Sequence, residues 1–454
     1  MIKLPGVLLI ITGITGCASY HAKPLNMTST MPHEVPHLVI DARRMPLPEL
    51  ASHRFDPSDG LDMTETAMLA VVNNPDLKLG RDDAGIARAQ AFAAGLLPDP
   101  QLSIGTDFPT NGPSGLTSAY SFGLSYDVGS LLLRSSVRKA ARSAREKTDL
   151  NLLWQEWQVV GQARLLFVRD REMSARMGVL QENRALFAER LRHVEAAFED
   201  GNAVMDTVSA DATALQDVEK RIHELTREVT RNRYALNLLL GLAPEVKLTL
   251  VGDGSFPAID EAAIRVRLAR LADFRPDLMA LKAGYESEDQ RLRQAILGQF
   301  PALNIGLTHA RDTSDVHTIG FGVTLSLPVF DRNRGHVAIE EATRQRLYDE
   351  FQVRLNGAGS EIQRILADQK LFEEELRAAK AGVAALEKVA AHAGTAYGAG
   401  NIDETTYADL QGGLLRKRME AISLEQGILE QRIGLLTLVG GELPVAEKTK
   451  GTGR

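Results

Sequence analysis

The stretch that most constrains this chain runs from Ile319 to Gly335, where the pattern of a β-strand passes directly into that of a helix. Large apolar side chains alternate through its first half with small or polar ones, which is the two-residue period of a strand. The apolar positions are Ile319, Phe321, Val323, Leu325 and Leu327, and the small or polar positions are Gly320, Gly322, Thr324 and Ser326. Pro328 ends the alternation. A strand with one apolar face that leads into a very long helix is typical of a membrane barrel joined to a helical stalk.

Composition narrows the class of protein. The chain has 454 residues, of which 44% are hydrophobic, but it contains no apolar run of the length, about twenty residues, that a transmembrane helix needs. Its net charge of −7 is modest and spread along the chain, so no nucleic-acid partner is expected.

The N-terminus has the pattern of a bacterial export signal. Lys3 precedes an apolar stretch, Leu4 to Ile14, that is too short to span a bilayer, so residues 1–16 are predicted to be a signal peptide. The tetrapeptide that ends at Cys17 resembles the lipobox, which implies that Cys17 is acylated and is the first residue of the mature protein. Cys17 is the only cysteine, so an internal disulfide is excluded. The residues after it lack the aspartate of inner-membrane retention, which implies the outer membrane.

The chain contains an internal duplication. Asn74-Pro75-Asp76-Leu77 returns 201 residues later as Arg275-Pro276-Asp277-Leu278, and Phe122-Gly123 matches Phe321-Gly322. Each copy is predicted to form a helix, a hairpin, a long helix, a turn and a helix. An extended arm is predicted at 17–60. Repeat 1 covers 61–241, with its hairpin at about 101–128 and helices at 130–198 and 206–241. A linker at 242–260 leads to repeat 2 at 261–440, with its hairpin at about 302–327 and helices at 336–397 and 405–440, and a polar tail follows at 441–454.

A heptad pattern in the first long helix predicts packing against other long helices. One line of the predicted seam is Met173, Leu180, Phe187 and Val194, and the second is Met177, Leu191 and Phe198, with Arg184 as a polar interruption. Apolar residues that recur every seven positions form the contact line of a coiled coil. The helix is therefore expected to belong to a bundle of long helices.

Four membrane-type strands in one chain require an oligomer. A four-stranded sheet cannot close, and an open edge in hydrocarbon leaves backbone groups without hydrogen-bond partners. Single-chain barrels begin at about eight strands, so closure by three chains is the natural solution. We therefore expect an α+β membrane protein in which a trimeric 12-stranded β-barrel is continued by a long α-helical barrel. The small side chains of the strands should face water, and Phe321 and Leu325 should face lipid.

Several motifs together resemble the TolC family of outer-membrane efflux proteins over about residues 60 to 445. They are the duplicated plan, the L-x-L-P-[VIL]-F-D turn at Leu325–Asp331 and the Tyr397-x-x-Gly400 turn. The strand exit Phe330–Gly335 and the segment Leu96–Pro100 are similar to the CzcC/CusC-like branch, which serves metal-exporting pumps. The resemblance implies a passive homotrimeric duct through the outer membrane, docked to a periplasmic adaptor and to an inner-membrane, proton-driven (RND-type) pump.

The resemblance also implies a periplasmic aperture. The turns Gly201-Asn202 and Gly400-Asn401 are expected at its tip, with Tyr397 as a constriction residue and Asp409 as an aperture carboxylate. Two positions depart from the family pattern, because Ile402 stands in place of a basic residue and Thr406 in place of an acidic one.

Further acids and one turn complete the predicted sites. Asp206, Asp403 and Glu404 suggest an acidic ring at the tip, since threefold symmetry multiplies each charge. Each acid equally suits the first turn of a helix, where the helix dipole favours it. The transition from barrel to helical tunnel is expected at Pro328, Asp331 and Gly335.

Other functions remain open at this stage. The cargo of a duct could be heavy-metal ions, drugs or other organic compounds, or a secreted protein, and a structural coiled-coil lipoprotein without a pore is a non-channel alternative. No set of nucleophile, base and orienting residue is found, so neither enzymatic activity nor a cofactor is expected. His309, Asp312, Asp315 and His317 bracket the second hairpin loop and are interpreted as solvated loop residues, so no metal site is predicted.

The lipobox generates the first testable prediction. Cys17→Ser removes the only thiol of the chain, so metabolic labelling with palmitate is expected to leave the variant unlabelled while the parent protein is labelled. A variant that still incorporates palmitate would show that the acylation site is elsewhere.

Overall fold

The computed structural model describes residues 19–36, 45–252, 254, 256 and 260–439. Cys17, the signal peptide at 1–16 and the tail at 441–454 lie outside the described residues. In chain order the elements are α1 Pro48–Ser52, α2 Met63–Asn73, α3 Pro75–Ala93, β1 Gln101–Asp107, β2 Ala119–Asp127, α4 Gly129–Glu199, α5 Met205–Leu239, α6 Glu261–Leu268, a 3₁₀ turn Leu271–Asp273, α7 Pro276–Leu297, β3 Ala302–Arg311, β4 His317–Ser326, α8 Arg334–Gly398 and α9 Glu404–Val439.

The same order of elements occurs twice. In the first copy α3, β1, β2, α4 and α5 follow one another, and in the second copy α7, β3, β4, α8 and α9 do so. Pro75 and Pro276 occupy the first turns of α3 and α7, where proline is tolerated because its missing N–H has no helical partner. Each copy combines long helices with two strands, and the predicted α+β class is confirmed.

Two helices dominate the length of the molecule. Helix α4 has 71 residues and α8 has 65, which at a rise of 1.5 Å per residue corresponds to roughly 100 Å each. Helix α4 packs against α5, α7 and α9, and α8 packs against α7 and α9. Among the described residues, none of the helices combines the length and the apolar character needed to cross a membrane.

The four strands form one antiparallel sheet in the order β1-β2-β3-β4. The register pairs Leu102 with Leu124 and Leu307 with Phe321, so large apolar residues share one face. On the other face Gly123 pairs with Thr308 and Gly306 with Gly322. The alternation of each strand thus adds up to a sheet with one apolar and one small or polar surface.

Three apolar clusters lie along the helices in the part of the chain that the structure describes. The first joins the N-terminal arm, α2, α4 and α5 around Leu50, Trp157 and Leu240. The second joins α6, α7, α8 and α9 around Ile264 and Ile362. The third lies between α4, α5 and α9, around Leu180 and Phe187. The first two clusters both join a long helix of one repeat to the helix that follows it, α4 to α5 in the first and α8 to α9 in the second.

The seam of α4 differs from the prediction in its second line. Leu180, Phe187 and Val194 are buried as expected, and Met173 packs against them. Phe198 is exposed, so its assignment to the seam was wrong, while Met177 and Leu191 are half-buried. The buried positions that accompany the first line are Asn183 and Arg190, three residues after Leu180 and Phe187. The second contact line therefore runs one position before the predicted Arg184 and Leu191, and it carries polar residues.

Candidate functional site

The two turns that join the long helices to their successors have the same backbone geometry. Gly201 and Gly400 adopt φ of 72° and 74°, which a glycine reaches at low cost. In the first turn the N–H of Asn202 donates to the carbonyl of Ala197 at 2.7 Å. The N–H of Asn401 donates to the carbonyl of Ala396 at 2.8 Å in the second. Both are Schellman motifs, in which the glycine ends the helix and the asparagine satisfies one of its last carbonyls.

Two of the predicted tip acids lie at helix starts. Asp206 is exposed in the first turn of α5. Asp403 precedes α9, and one of its carboxylate oxygens accepts a hydrogen bond from the N–H of Thr406 at 2.7 Å. This bond lowers the pKa of Asp403 below its usual value. Asp403 therefore caps a helix, which was the alternative interpretation of these acids.

The third predicted acid, Glu404, belongs to a buried ionic cluster that we call the Arg190 cluster, formed by Arg190, Asp211 and Glu404. The Arg190 guanidinium donates to Asp211 Oδ1 at 2.6 Å and to Glu404 Oε1 at 3.1 Å. The side chains of Arg190 and Asp211 are 6% and 3% exposed. The cluster joins α4, α5 and α9, so it ties both repeats together near the turns.

One positive and two negative groups share this buried site, and the pKa of Asp211 is raised there. Burial raises the pKa of Asp211 to about 6 from 3.8, and Glu404 adds to the rise while Arg190 opposes it. Within the described residues Oδ2 of Asp211 is buried without a hydrogen-bond partner. A proton on that oxygen makes it a donor toward Glu404, which adds to the effect of burial on the pKa of Asp211.

Aromatic rings cover the cluster. The rings of Tyr397 and Tyr407 stack with centroids 5.1 Å apart and an angle of 7° between their planes. The guanidinium of Arg190 lies 5.3 Å from the centroid of Tyr407 and 5.6 Å from that of Phe187. Such contacts with ring faces stabilise a cation that has lost its water. Tyr397 thus packs beside the ionic cluster, and burial, followed by Glu404, raises the pKa of its phenol.

The predicted aperture residues fall into three groups in the structure. Four of them line a cleft of about 450 Å³, namely Gly201, Asn202, Tyr397 and Glu404. Asp409 is exposed and, with Asp211 and Glu404, lines a groove of about 260 Å³ between α5 and α9. Asp206, Asp403, Gly400 and Asn401 line neither cavity. The structure therefore brings Tyr397 and Glu404 together with the first turn in one cleft.

Sequence reasoning missed Arg190, Asp211 and Tyr407. The signal for Arg190 was its spacing, because Asn183 and Arg190 are seven residues apart and each follows a buried apolar residue by three. Polar residues on such a line are buried and require partners. Asp211 gave no comparable signal, since its partner lies on another helix.

The predicted transition residues lie between β4 and α8. Arg332 and Asn333 adopt left-handed φ of 50° and 52°, and the Asn333 amide donates to the carbonyl of Ala295 at 2.7 Å. The carbonyl of Asp331 accepts from the N–H of Arg334 at 3.2 Å. Pro328 lies two residues beyond the end of β4, and Gly335 lies in the first turn of α8 with open space around its Cα. Asn333, rather than Gly335, fixes this turn to the end of α7.

The loop between β3 and β4 is held by its own side chains. Asp312 Oδ1 accepts from the N–H groups of Ser314 and Val316, and Asp315 pairs with Arg311 at 3.3 Å. The rings of His309 and His317 stack at 5.8 Å beside Tyr120. Both aspartates thus have local structural partners.

The chain is similar to a known efflux protein over most of its length, and part of it matches a protein family. Residues 268–441 match the model of a family described as outer membrane efflux protein. The chain is 21% identical over 389 residues to the cation efflux system protein CusC of Escherichia coli O6:H1, which covers 82% of this chain and 84% of the relative.

Solved structures share the fold. A crystal structure of CusC has a TM-score of 0.70 at 19% identity and covers 88% of this chain and 98% of its own. The CmeC outer membrane channel of Campylobacter jejuni has a TM-score of 0.71 at 15% identity, over 94% and 96% of the two chains.

The Arg190 cluster predicts a specific pH dependence. Asp211 binds its proton more tightly here than in water, so the folded tip gains stability as pH falls through about 6 and loses it as pH rises from about 4 to 6. Lowering the pH from 7 to 5 should therefore raise the thermal midpoint of the parent protein more than that of Asp211→Asn, whose amide does not titrate. Asp206→Asn, an exposed acid on the same helix, is the matched control and should follow the parent. Identical pH profiles for all three proteins would contradict the assignment.

Proposed function

We propose that this chain is an outer membrane efflux protein, whose family model its residues 268–441 match, and that it forms the outer-membrane duct of a tripartite efflux system. The observation that carries this proposal is the sheet with two unlike faces. One face presents Phe321, Val323 and Leu325, all more than half exposed. The opposite face presents glycine, serine and threonine, which suit a water-filled lumen.

The strand edges support assembly into a trimer. In one chain β1 and β4 each have a strand partner on one side only, among the residues that the structure describes. Hydrocarbon cannot satisfy the remaining backbone groups, so β4 of one chain pairs with β1 of the next. Three copies then close a barrel, and the long helices continue it as a tunnel.

The partners follow from a passive duct. Transport through such a duct needs an energy source elsewhere, which an inner-membrane, proton-driven pump provides through a periplasmic adaptor. Cys17 anchors the chain to the outer membrane by its lipid. The adaptor engages the turn end of the helices, where the Arg190 cluster lies.

Heavy-metal ions are the proposed cargo. Support comes from the similarity to a cation efflux system protein and from the strand exit Phe330–Gly335. Drugs, organic compounds and secreted proteins are the alternatives, because the small side chains of the lumen face discriminate weakly among solutes.

The aperture is proposed to be held by two sets of charges. The Arg190 cluster fixes α4, α5 and α9 within one chain. Asp409, exposed on α9, is proposed to lie near its symmetry copies in the trimer and to set cation passage. Tyr397 narrows the opening beside it.

A pair of substitutions on neighbouring positions of β4 tests the barrel. Gly322 is assigned to the lumen, and a Cβ added there meets no other atom, so Gly322→Lys should insert and give channels with lower cation selectivity in planar bilayers. Val323→Lys places a charge on the lipid face at a cost of about 2–4 kcal/mol per chain near the bilayer centre and should abolish insertion. Equal behaviour of the two variants, or no conductance from the parent protein, would contradict the duct.

A second experiment tests the aperture. Asp409→Ala should increase leak conductance or reduce cation selectivity, because three carboxylates leave the opening together. Asp83→Ala, which removes an exposed acid from α3, is the control and should leave the currents unchanged. Unaltered currents in Asp409→Ala would remove this residue from the aperture.

A further inference from the structure

A histidine and two carboxylates converge where the N-terminal arm meets α2. His53 directly follows α1, Asp62 is the N-cap of α2, and Glu65 is the third residue of that helix. One ligand atom from each lies within 4.8 Å of the other two. Nε2 of His53 lies 3.3 Å from Asp62 Oδ2 and 4.0 Å from Glu65 Oε1.

The cap of α2 fixes the carboxylates of Asp62 and Glu65. In each carboxylate, one oxygen takes part in the capping box and the other lies near His53. Asp62 Oδ1 accepts from the N–H of Glu65 at 2.7 Å, and Glu65 Oε2 accepts from the N–H of Asp62 at 3.0 Å. This capping box does not use Asp62 Oδ2. Glu65 Oε1 accepts one bond, from the N–H of Asp56 at 2.8 Å, and retains a second lone pair. Backbone groups therefore preorganise both oxygens.

We propose that His53, Asp62 and Glu65 bind one divalent ion of the zinc type. Ligand bonds of about 2.0–2.1 Å at tetrahedral angles place neighbouring ligand atoms roughly 3.3 Å apart. The separation of His53 Nε2 and Asp62 Oδ2 has this value, and Glu65 Oε1 lies within 4.8 Å of both atoms. The Glu65 side chain is 6% exposed, while His53 and Asp62 are about one-third exposed, so water can complete the coordination.

Charge and ligand type select the ion. Two carboxylates balance its double charge and offset the positive end of the helix, which would otherwise repel a cation. One imidazole and two carboxylates suit Zn²⁺, Co²⁺ or Ni²⁺ better than Cu(I), which prefers sulfur, or Mg²⁺ and Ca²⁺, which prefer oxygen alone.

The bound ion would connect the N-terminal arm to α2. The arm already packs through buried Leu50 and through hydrogen bonds from Trp157 to the carbonyl of Pro46 and from Arg164 to Glu49. Next to the site, Leu61 pairs with Leu250 of the linker. A bound ion therefore stabilises the region where arm, α2 and linker meet. This role is independent of the cargo that the duct carries.

Cobalt binding tests the proposal. The full-length protein, purified without a histidine tag and stripped with EDTA, is titrated with Co²⁺, which should give visible d–d absorption at one ion per chain that Zn²⁺ abolishes. His53→Ala should weaken Co²⁺ binding at least about tenfold. His33→Ala is the matched control, because His33 lies on the same arm, is exposed and pairs with Glu245 instead. It should retain the parent spectrum.

A thermal measurement separates loss of the site from loss of the fold. In EDTA, His53→Ala and the parent should unfold at similar temperatures, whereas Zn²⁺ should raise the midpoint of the parent and of His33→Ala only. An absent cobalt spectrum in the parent, an unchanged spectrum in His53→Ala, or an equal zinc shift in both would show that His53 forms only an ion pair with the carboxylates.

Discussion

The hydrogen bonds that β1 and β4 leave unmade at their outer edges, among the described residues, are the constraint on which the proposed assembly depends. Strands β1 and β4 bound a sheet of four, and a bilayer offers no other partner to their backbone groups. In the proposed trimer the sheet closes through copies of itself, and each chain provides one third of the barrel. The long helices α4 and α8 follow β2 and β4 in the chain, so in that assembly they continue the barrel as a tunnel.

The duplication also determines how the long helices pack. Each repeat has its own apolar cluster, and α4 contacts elements of both repeats, α5 from the first and α7 and α9 from the second. At the turn end apolar packing gives way to the Arg190 cluster, in which one buried guanidinium holds two carboxylates. Breaking such a cluster leaves a buried charge without a partner, which is costly.

The buried polar positions of α4 show which contacts a hydrophobic period can predict and which it cannot. The line of Leu180, Phe187 and Val194 was visible because apolar residues recur every seven positions. The companion line through Asn183 and Arg190 was not, because a polar residue normally indicates a solvent-exposed face. Only their partners explain their burial, and those partners lie on other helices.

Taken alone, the sequence determined the strands, the long helices, the glycine turns and the duplication, because period, glycine and proline act within a few residues of the chain. From these the α+β class, and the resemblance to efflux ducts, could be derived. The tertiary structure alone decided that Glu404 is held by Arg190 and that His53 faces the unused oxygen of Asp62. These contacts depend on the distance between side chains of separate elements, and no local pattern in the sequence encodes that distance.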